Sequence, residues 1–578
     1  MAKTAKRGNK RRAQSLAQLA LFAGILLFLN ILANARIGGQ PLYTAFDMTE
    51  EKRYSLTAPT KELLRGLEDV VYIRILLDGE FPAGFKRLQS STQDLLDDFR
   101  SVSGYVEYEF DNPNEGTTKD INDRRKTLAE QGITPVNLRV KDVEGTAEKV
   151  IYPYAIVYYG NSSLPVNLLE NEVPGVPPQV TLNNSISLLE YKFANTIQKL
   201  QTTRKPNLLF TKGHGELSPI ELADLTQALS PYFDMGRIDL DSVNFISDEV
   251  SVLMVPKPTQ PFSENDKFKL DQYVMNGGKV VWLIDRLRVG LDSLRGRSKY
   301  FPNEYQLNLD DLLFRYGIRI QPNLVLDIQC SKIPLATGMV GNAPQFDLFK
   351  YPYHPVVLPR SDHPVVKGLG PVNLKYPSSI DLNVMTKTEL KKTPLLQSSD
   401  NSRLQYIPVA LNFEFLRYDL QPEKFDEGPQ TAGLLLEGVF PSLYTNRLTQ
   451  EKKEIMESLG QTYKPESTPT KMAVISDGDI IRNALGREEG AYKPLGYNEF
   501  DKYLYANKDF IVNLVEYMLD DNGVIEARSK EVKLRMLDTV QAQQQQLKWQ
   551  LVNLGVPLVF LLLFGIGFNY LRRRKYAA

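Results

Sequence analysis

VLMVPKPTQPFSENDKFKLDQYVMNGGKVVWLID, residues 252–285, contains a strand, a helix and a second strand in succession. Val250 to Val255 is a short apolar run of the kind buried in a sheet, and Glu264 to Met275 has the composition and length of a helix. Asn276-Gly277-Gly278 stops that helix, because Gly and Asn accept the left-handed backbone that ends one. Lys279 to Ile284 (KVVWLI) is then a second apolar strand that runs directly into Asp285. Short buried strands alternating with helices predict a parallel sheet wound on both faces.

The same rhythm extends in both directions. Upstream, Asn207 to Phe210 is a short strand followed by Thr211-Lys212-Gly213-His214-Gly215-Glu216. Ser218-Pro219-Ile220-Glu221 next supplies a capping box, with Ser at the N-cap, Pro at the first helical position and Glu three residues after the cap. Downstream come a helix over Asp310 to Tyr316, Gly317 and strand-like Ile318 to Leu326. From about 340 to 450 the pattern loosens into proline-rich pieces, including Tyr351 to Leu358 and Gly433 to Val439. Lys471 to Ser476 is a strand ending in Asp477-Gly478-Asp479, and Asp509 to Leu519 is a helix. A doubly wound α/β domain with a β-rich insertion is therefore expected over 204–525.

Residues 36–203 read as a smaller α/β domain. Strands are expected at Asp69 to Leu77 and Val106 to Phe110, with a helix over Phe85 to Ser101 whose Leu88, Leu95, Leu96 and Phe99 share one face. A helix follows over Asp120 to Gln131, then a hairpin of Val136 to Val140 with Val150 to Tyr159, a loop at Glu172 to Gln179, and a helix over Ser187 to Gln201. The order β-α-β-α-β-β resembles a thioredoxin-like domain. Without a C-x-x-C pair the redox chemistry of that fold is excluded. The basic junction Arg204-Lys205-Pro206 marks the domain boundary.

Charge shows where these domains lie. The 578 residues hold 69 Lys+Arg and 69 Asp+Glu, a formal net charge of zero. The first 15 residues and the segment 572–578 carry ten of the basic residues and no acid. Taking those ten from 69 leaves 59 against 69 acids between the tails, a net of −10. Each tail abuts an uncharged apolar run, Leu16 to Ala33 (18 residues) and Val552 to Leu571 (20 residues). Both are long enough to cross a hydrocarbon core of ~30 Å, the first only just. Basic residues stay on the cytoplasmic side, so spans at 16–35 and 552–571 place both tails in the cytoplasm and the acidic domains in the periplasm. The alternative for the first run is a cleaved signal peptide ending at Ala33-Asn34-Ala35, but the run exceeds the ~7–15 apolar residues of such peptides. From Ser529 one helix is expected through the Gln-rich stretch 541–546 into the second span, with a juxtamembrane part over 526–551 and Gly555 and Pro557 as places for a kink. Trp549 suits an interfacial anchor.

The chemistry-bearing residues are few. One cysteine, Cys330, excludes an intramolecular disulfide, and three histidines leave little material for a metal cluster. There is no G-x-x-x-x-G-K-[ST], because Gly277-Gly278-Lys279 lacks the earlier glycine and the following hydroxyl; the chain is thus not itself a P-loop ATPase. G-x-S-x-G, H-E-x-x-H and EF-hand patterns are missing too. Nucleic acid is excluded by the acidic domain and its compartment. Ligands of doubly wound sheets bind where strands end, and His214, Asp285 and Asp477 each follow a strand. With Glu216 they form the candidate ligand-binding set, for cation binding or acid–base work. The competing reading makes Gly213 and Gly215 a tight turn, His214 a local hydrogen-bonding partner, and the aspartates caps. Cys330 is expected to be a small buried hydrophobe and Trp282 a core residue.

Taken together, KGHGE (212–216), the stretch 252–285, ISDGDIIRN (475–483) and NKDFIVNLVEYMLDDNGVIEARSKE (507–531) resemble the GldG family over nearly the whole chain. These are auxiliary, so-called substrate-binding, subunits of the gliding-motility-associated ABC transporter. The resemblance implies a complex with a multi-span permease subunit (GldF-like) and a cytoplasmic ATPase (GldA-like), in the inner membrane of Gram-negative gliding bacteria. It implies no cofactor, no metal and no catalytic residue. The second domain also resembles class I glutamine-amidotransferase-like domains, yet Asp285-Arg286 stands where those enzymes carry their nucleophilic cysteine.

Three functions compete. The first is a non-catalytic transporter subunit, with a sub-hypothesis that a continuous helix from about 529 to 571 couples the membrane to the outer domain. The second is a membrane-tethered hydrolase using His214 with Asp285 or Asp477, which requires those side chains to converge in one cleft. The third is an envelope glycan- or peptide-binding module, which exposed aromatics such as Tyr351, Tyr353 or Tyr376 in a groove would favour.

Overall fold

A computed structural model describes residues 17–30, 36–37, 40–41, 55–142, 145–170, 177–202, 204–341, 343–386, 388–445, 447–448, 450–458, 462–529 and 545–576. It divides into two units, Met1–Lys530 and Glu531–Ala578.

The first unit is mixed α/β. Its described N-terminal part is an exposed apolar helix, α1 (Ala17–Asn30), inside the first apolar run; the residues flanking it lie outside the described ones. After α2 (Ala58–Arg65) come β1 (Val71–Ile75), α3 (Ala83–Val102), β2 (Val106–Phe110) and α4 (Thr118–Glu130). In β1 the alternate residues Val71, Ile73 and Ile75 are buried, and in α3 Phe85, Leu88, Thr92, Leu96 and Phe99 recur at helical spacing on the buried face.

The expected hairpin is corrected here. β3 (Val136–Asp142) pairs with β4 (Gly145–Ile151), while β5 (Tyr154–Tyr159) pairs with β1 and with β6 (Ser162–Asn167). Pro153, between Tyr152 and Tyr154, separates what the sequence pattern joins into one run, since it has no N–H to continue a ladder. The four-stranded sheet has the order β2-β1-β5-β6, with β1 and β2 parallel and the other pairs antiparallel. α5 (Pro178–Gln201) starts nine residues before the expected position, with Pro at its first turn, and packs Leu189, Phe193 and Ile197 into the same core as Leu88, Leu96 and Phe99 of α3. Part of the expected loop, 172–176, lies outside the described residues.

The larger sheet is built from β7 (Asn207–Lys212), α6 (Ala223–Leu229), β8 (Asp234–Asp239), β9 (Val250–Pro256), α7 (Glu264–Met275) and β10 (Lys279–Leu283). α8 (Asp310–Arg315), β11 (Asn323–Asp327), the long hairpin β12 (Cys330–Val340) and β13 (Ala343–Val357), and short β14 (Val372–Asn373) follow. β15 (Lys391–Gln397), β16 (Ser402–Tyr406), β17 (Thr431–Gly438), α9 (Gln450–Ser458), β18 (Thr470–Ile475) and α10 (Asn507–Leu519) complete the unit. Seven strands lie in the order β8-β7-β9-β10-β18-β17-β15; the first five are parallel and the last two pairings antiparallel.

Alternation along the strands builds two cores. Val252, Met254, Val281, Leu283, Ala473 and Ile475 face one core with Leu225 of α6 and Phe510 and Leu514 of α10. Leu253, Val255, Val280, Trp282, Met472 and Val474 face the other, with Leu270 and Val274 of α7 and Leu312 of α8. Helices therefore cover both faces, as the apolar strands require. β11 pairs with β16 outside this sheet, and the expected single strand Ile318 to Leu326 is interrupted, with Arg319–Ile320 and β11 as separate strands. The capping box at Ser218 and Glu221 forms, opening a 3₁₀ turn, Pro219–Leu222, that leads into α6.

α5 also ties the smaller sheet to the larger. Lys199 Nζ lies 2.5 Å from Glu516 Oε1 of α10, Tyr191 hydrogen-bonds to the same carboxylate, and the Arg528 guanidinium sits 4.9 Å from the Tyr191 ring centre. Residues 524–529 form a 3₁₀ segment instead of the start of a long helix, and 530–544 lie outside the described residues. The second unit holds α11 (Gln546–Tyr576), whose stretch Gln546–Arg574 is long and apolar enough to cross a membrane and includes Pro557.

Candidate functional site

The four residues singled out by sequence fall into two sets on the rim where β7, β9, β10 and β18 end. His214 and Glu216 form the first. The loop after β7 bends at Gly215, with φ +73, where an added Cβ would meet Thr259 Oγ1 at 2.1 Å. The His214 carbonyl accepts hydrogen bonds from Thr259 N and Gln260 N, both at 2.9 Å. Its ring stacks on Phe262 with centres 3.8 Å apart, Nε2 lies 3.3 Å from Asp266 Oδ2, and Nδ1 lies 3.6 Å from Glu216 Oε1. Glu216 Oε2 accepts from His214 N at 2.7 Å, and Asp266 also takes Ser263 Oγ at 2.6 Å and Lys269 Nζ at 3.3 Å. Burial works against a charged imidazole here, but Glu216 and Asp266 outweigh it and raise the His214 pKa. His214, Glu216 and Asp266 clasp the β7 loop to the first turn of α7.

Asp285 and Asp477 belong to the second set, with two residues that sequence reasoning did not select as site residues, Lys257 and Asp479. Lys257 follows β9 with φ 55, a left-handed conformation that costs a non-glycine residue about 1–2 kcal/mol. Gly478 accommodates it: a Cβ there would meet Lys257 Cβ at 2.6 Å. The Lys257 ammonium lies 2.9 Å from Asp285 Oδ2 and 2.6 Å from Asp479 Oδ2, and Gly478 N donates to Asp285 Oδ1 at 2.5 Å. Asp477 receives Lys375 N at 2.6 Å and Asp479 N at 2.8 Å. Burial, followed by the neighbouring carboxylates, pushes Asp477 well above the usual range, and burial likewise raises Asp285. Asp479 is buried as well, but Lys257 and then Lys375 hold it down at about 2. One lysine ammonium thus occupies the cation position that these carboxylates create. Among the described residues no group of three or more His, Cys, Asp or Glu is arranged to hold a metal ion.

Among the described residues, no hydrogen bond or ion pair joins His214 or Glu216 to Asp285 or Asp477. The signal for the missed residues was faint. Lys257 follows an apolar strand just as Asp285 does, and Asp479 stands in the same D-G-D as Asp477, but it takes the fold to bring β9, β10 and β18 side by side. Beyond Asp479 opens a cavity of about 220 Å³, bounded by Arg482, His354, Asn373 and Lys375 among others.

The remaining candidates are structural. Tyr351, Tyr353 and Tyr376 are buried, with ring centres 5.3–6.1 Å apart, so they form core and not an exposed groove. Burial pushes the Cys330 thiol up to about 12, and Trp282 is fully buried.

The family described as an ABC-type uncharacterized transport system matches residues 205–514, the whole of the larger sheet and its rim. The chain belongs to this family. A domain of unknown function matches residues 50–158, over most of the smaller sheet. A relative, an uncharacterized protein of Borreliella burgdorferi (strain ATCC 35210 / DSM 4680 / CIP 102532 / B31), is 24% identical over 424 residues, covering 71% of this chain and 76% of its own length. Of solved structures, the IFT52 N-terminal domain is 11% identical with a TM-score of 0.29, over 54% of this chain and 96% of that one. Exo-β-1,4-mannosidase Op5Man5 from Opitutaceae bacterium strain TAV5 is 10% identical with a TM-score of 0.13, over 59% and 48%. Neither likeness carries an argument. Membership of the ABC-type transport family supports an auxiliary, non-catalytic role beside permease and ATPase subunits, and α11 suggests a membrane anchor.

Proposed function

We propose that the chain is a GldG-like subunit of an ABC transport complex of the gliding-motility type, anchored in the inner membrane next to a GldF-like permease and a GldA-like ATPase. The family match over residues 205–514, in a chain that also carries the apolar α11 with Arg572, Arg573 and Arg574 at its far end, is the observation that carries this reading. Retention of basic residues on the cytoplasmic side argues for cytoplasmic termini, a span at 16–35 as well as at 552–571, and a periplasmic region between them.

On this reading residues 36–203 are a thioredoxin-like domain and 204–525 an amidotransferase-like one. The sheet order β2-β1-β5-β6, followed by α5, supports the first assignment, and the five parallel strands with helices on both faces support the second. Asp285, at the position of a nucleophile, is engaged by Lys257, which supports a display or docking role over hydrolysis. The rim of the larger sheet is then the surface offered to an envelope ligand. A chain lacking both α11 and the first apolar run, residues 16–35, tests the anchoring: it should leave the membrane fraction and lose its permease. Retention of the permease by that truncated chain would contradict the proposed arrangement.

A further inference from the structure

The cavity beyond Asp479 has a composition that the fold alone does not require. Its buried side carries His354 and Asn373, which are 4% and 7% exposed, and neither His354 Nε2 nor Asn373 Oδ1 has a hydrogen-bond partner. A buried polar atom without a partner is costly, so two of them on side chains that line one cavity need a reason. The His354 ring and the Asn373 backbone are well fixed. The His354 ring meets Tyr351 and Tyr376 edge-on, with centres 4.9 Å away in each case. The Asn373 backbone is clamped by Asn507, which accepts from Asn373 N at 3.0 Å and donates to its carbonyl at 2.8 Å.

The charges around the cavity do not balance. Asp479 is taken by Lys257 and by Arg482, and Arg482 also holds Glu221 at 2.7 Å. Lys493 pairs with Glu499. Lys332 and Lys375 remain on the wall without an ion pair among the described residues, so two ammonium groups there are unpaired.

We propose that this cavity binds a small anion-bearing ligand, a phosphate or carboxylate compound, through the ammonium groups of Lys375 and Lys332 and through hydrogen bonds from His354 Nε2 and the Asn373 amide. Turned over, the Asn373 amide presents its NH2 to the anion. The cavity volume, about 220 Å³, admits the anion and a few further heavy atoms but not a polymer chain in full. The inference rests on the reading of the rim as a ligand-binding surface, and it is independent of which permease and ATPase the chain joins.

Calorimetric titration of the purified full chain with inorganic phosphate, with acetate, and with glycerol as the uncharged arm, all at constant ionic strength, tests it. Saturable binding of phosphate or acetate but not glycerol is expected; the preferred anion identifies the head group. Lys375→Met should weaken that binding at least tenfold, whereas Lys126→Met, at an exposed position on α4 beside the smaller sheet, should not change it. Should Lys375→Met lower the unfolding midpoint by more than a few degrees, the exposed Lys332→Met supplies the same comparison. No saturable anion binding, or binding unchanged in both Lys375→Met and Lys332→Met, overturns the proposal. Such a failure leaves co-purification with transporter subunits untouched, so the two readings fail separately.

Discussion

Lys257 carries a strained backbone and two ion pairs, so its removal leaves Asp285 buried without its cation and Asp479 paired with Arg482 alone. Removing one partner of a buried ion pair costs about 3–5 kcal/mol, and Lys257→Met should lower the thermal unfolding midpoint accordingly, read by differential scanning fluorimetry. Gly478→Ala should destabilise as well, since the Lys257 backbone and stem stand where the new methyl would go. Acid sensitivity follows from two histidines. Burial depresses His354 to about 3 and His363 to about 4, so the unfolded chain takes up their protons near 6.5 and the folded chain does not. Their contribution to stability is complete above about pH 6.5 and is lost as pH falls toward those folded values. Melting followed between pH 7 and 4 should show this decline, and His363→Gln should flatten it. At this scale the sequence shows Asp285 and Asp477 because each ends an apolar run. It hides Lys257, whose left-handed φ and carboxylate partners come from three strands distant in the chain.

Among the elements, α7 occupies the expected Glu264–Met275, and β2 the expected Val106–Phe110, because apolar spacing and helix stops are local signals. β8 escaped sequence reading. It is the edge strand, its DMGRID sequence is only half buried, and no alternation betrays it. The β3–β4 hairpin was misassigned because Val150 to Tyr159 reads as one run, and the pairing partner is decided by tertiary contacts. The capping box at the 3₁₀ turn before α6 was legible and forms with Ser218 Oγ donating to Glu221 Oε2 at 2.7 Å. Ser218→Ala should cost about 1 kcal/mol in urea unfolding. The continuous helix expected from Ser529 falls largely on residues outside the described ones. A flexible Gly/Ser insertion near Gln545 tests the coupling idea: complex assembly should survive and function should be lost, while unimpaired function would remove the mechanical role.

For the whole molecule, the zero net charge conceals a division between ten basic residues at the two tails and a region of net −10 between them. That division, the family match and α11 together make an anchored transporter subunit the reading that joins every part. The cavity at the rim was not legible beforehand, because Lys332, His354, Asn373 and Lys375 come from the β-rich insertion, where the sequence pattern is weakest. Affinity purification of the tagged full chain from native membranes at its natural abundance is the most direct test of the account. A multi-span permease and a nucleotide-binding ATPase should accompany it in fixed proportion. Recovery of the chain alone, as a monomer, would contradict it.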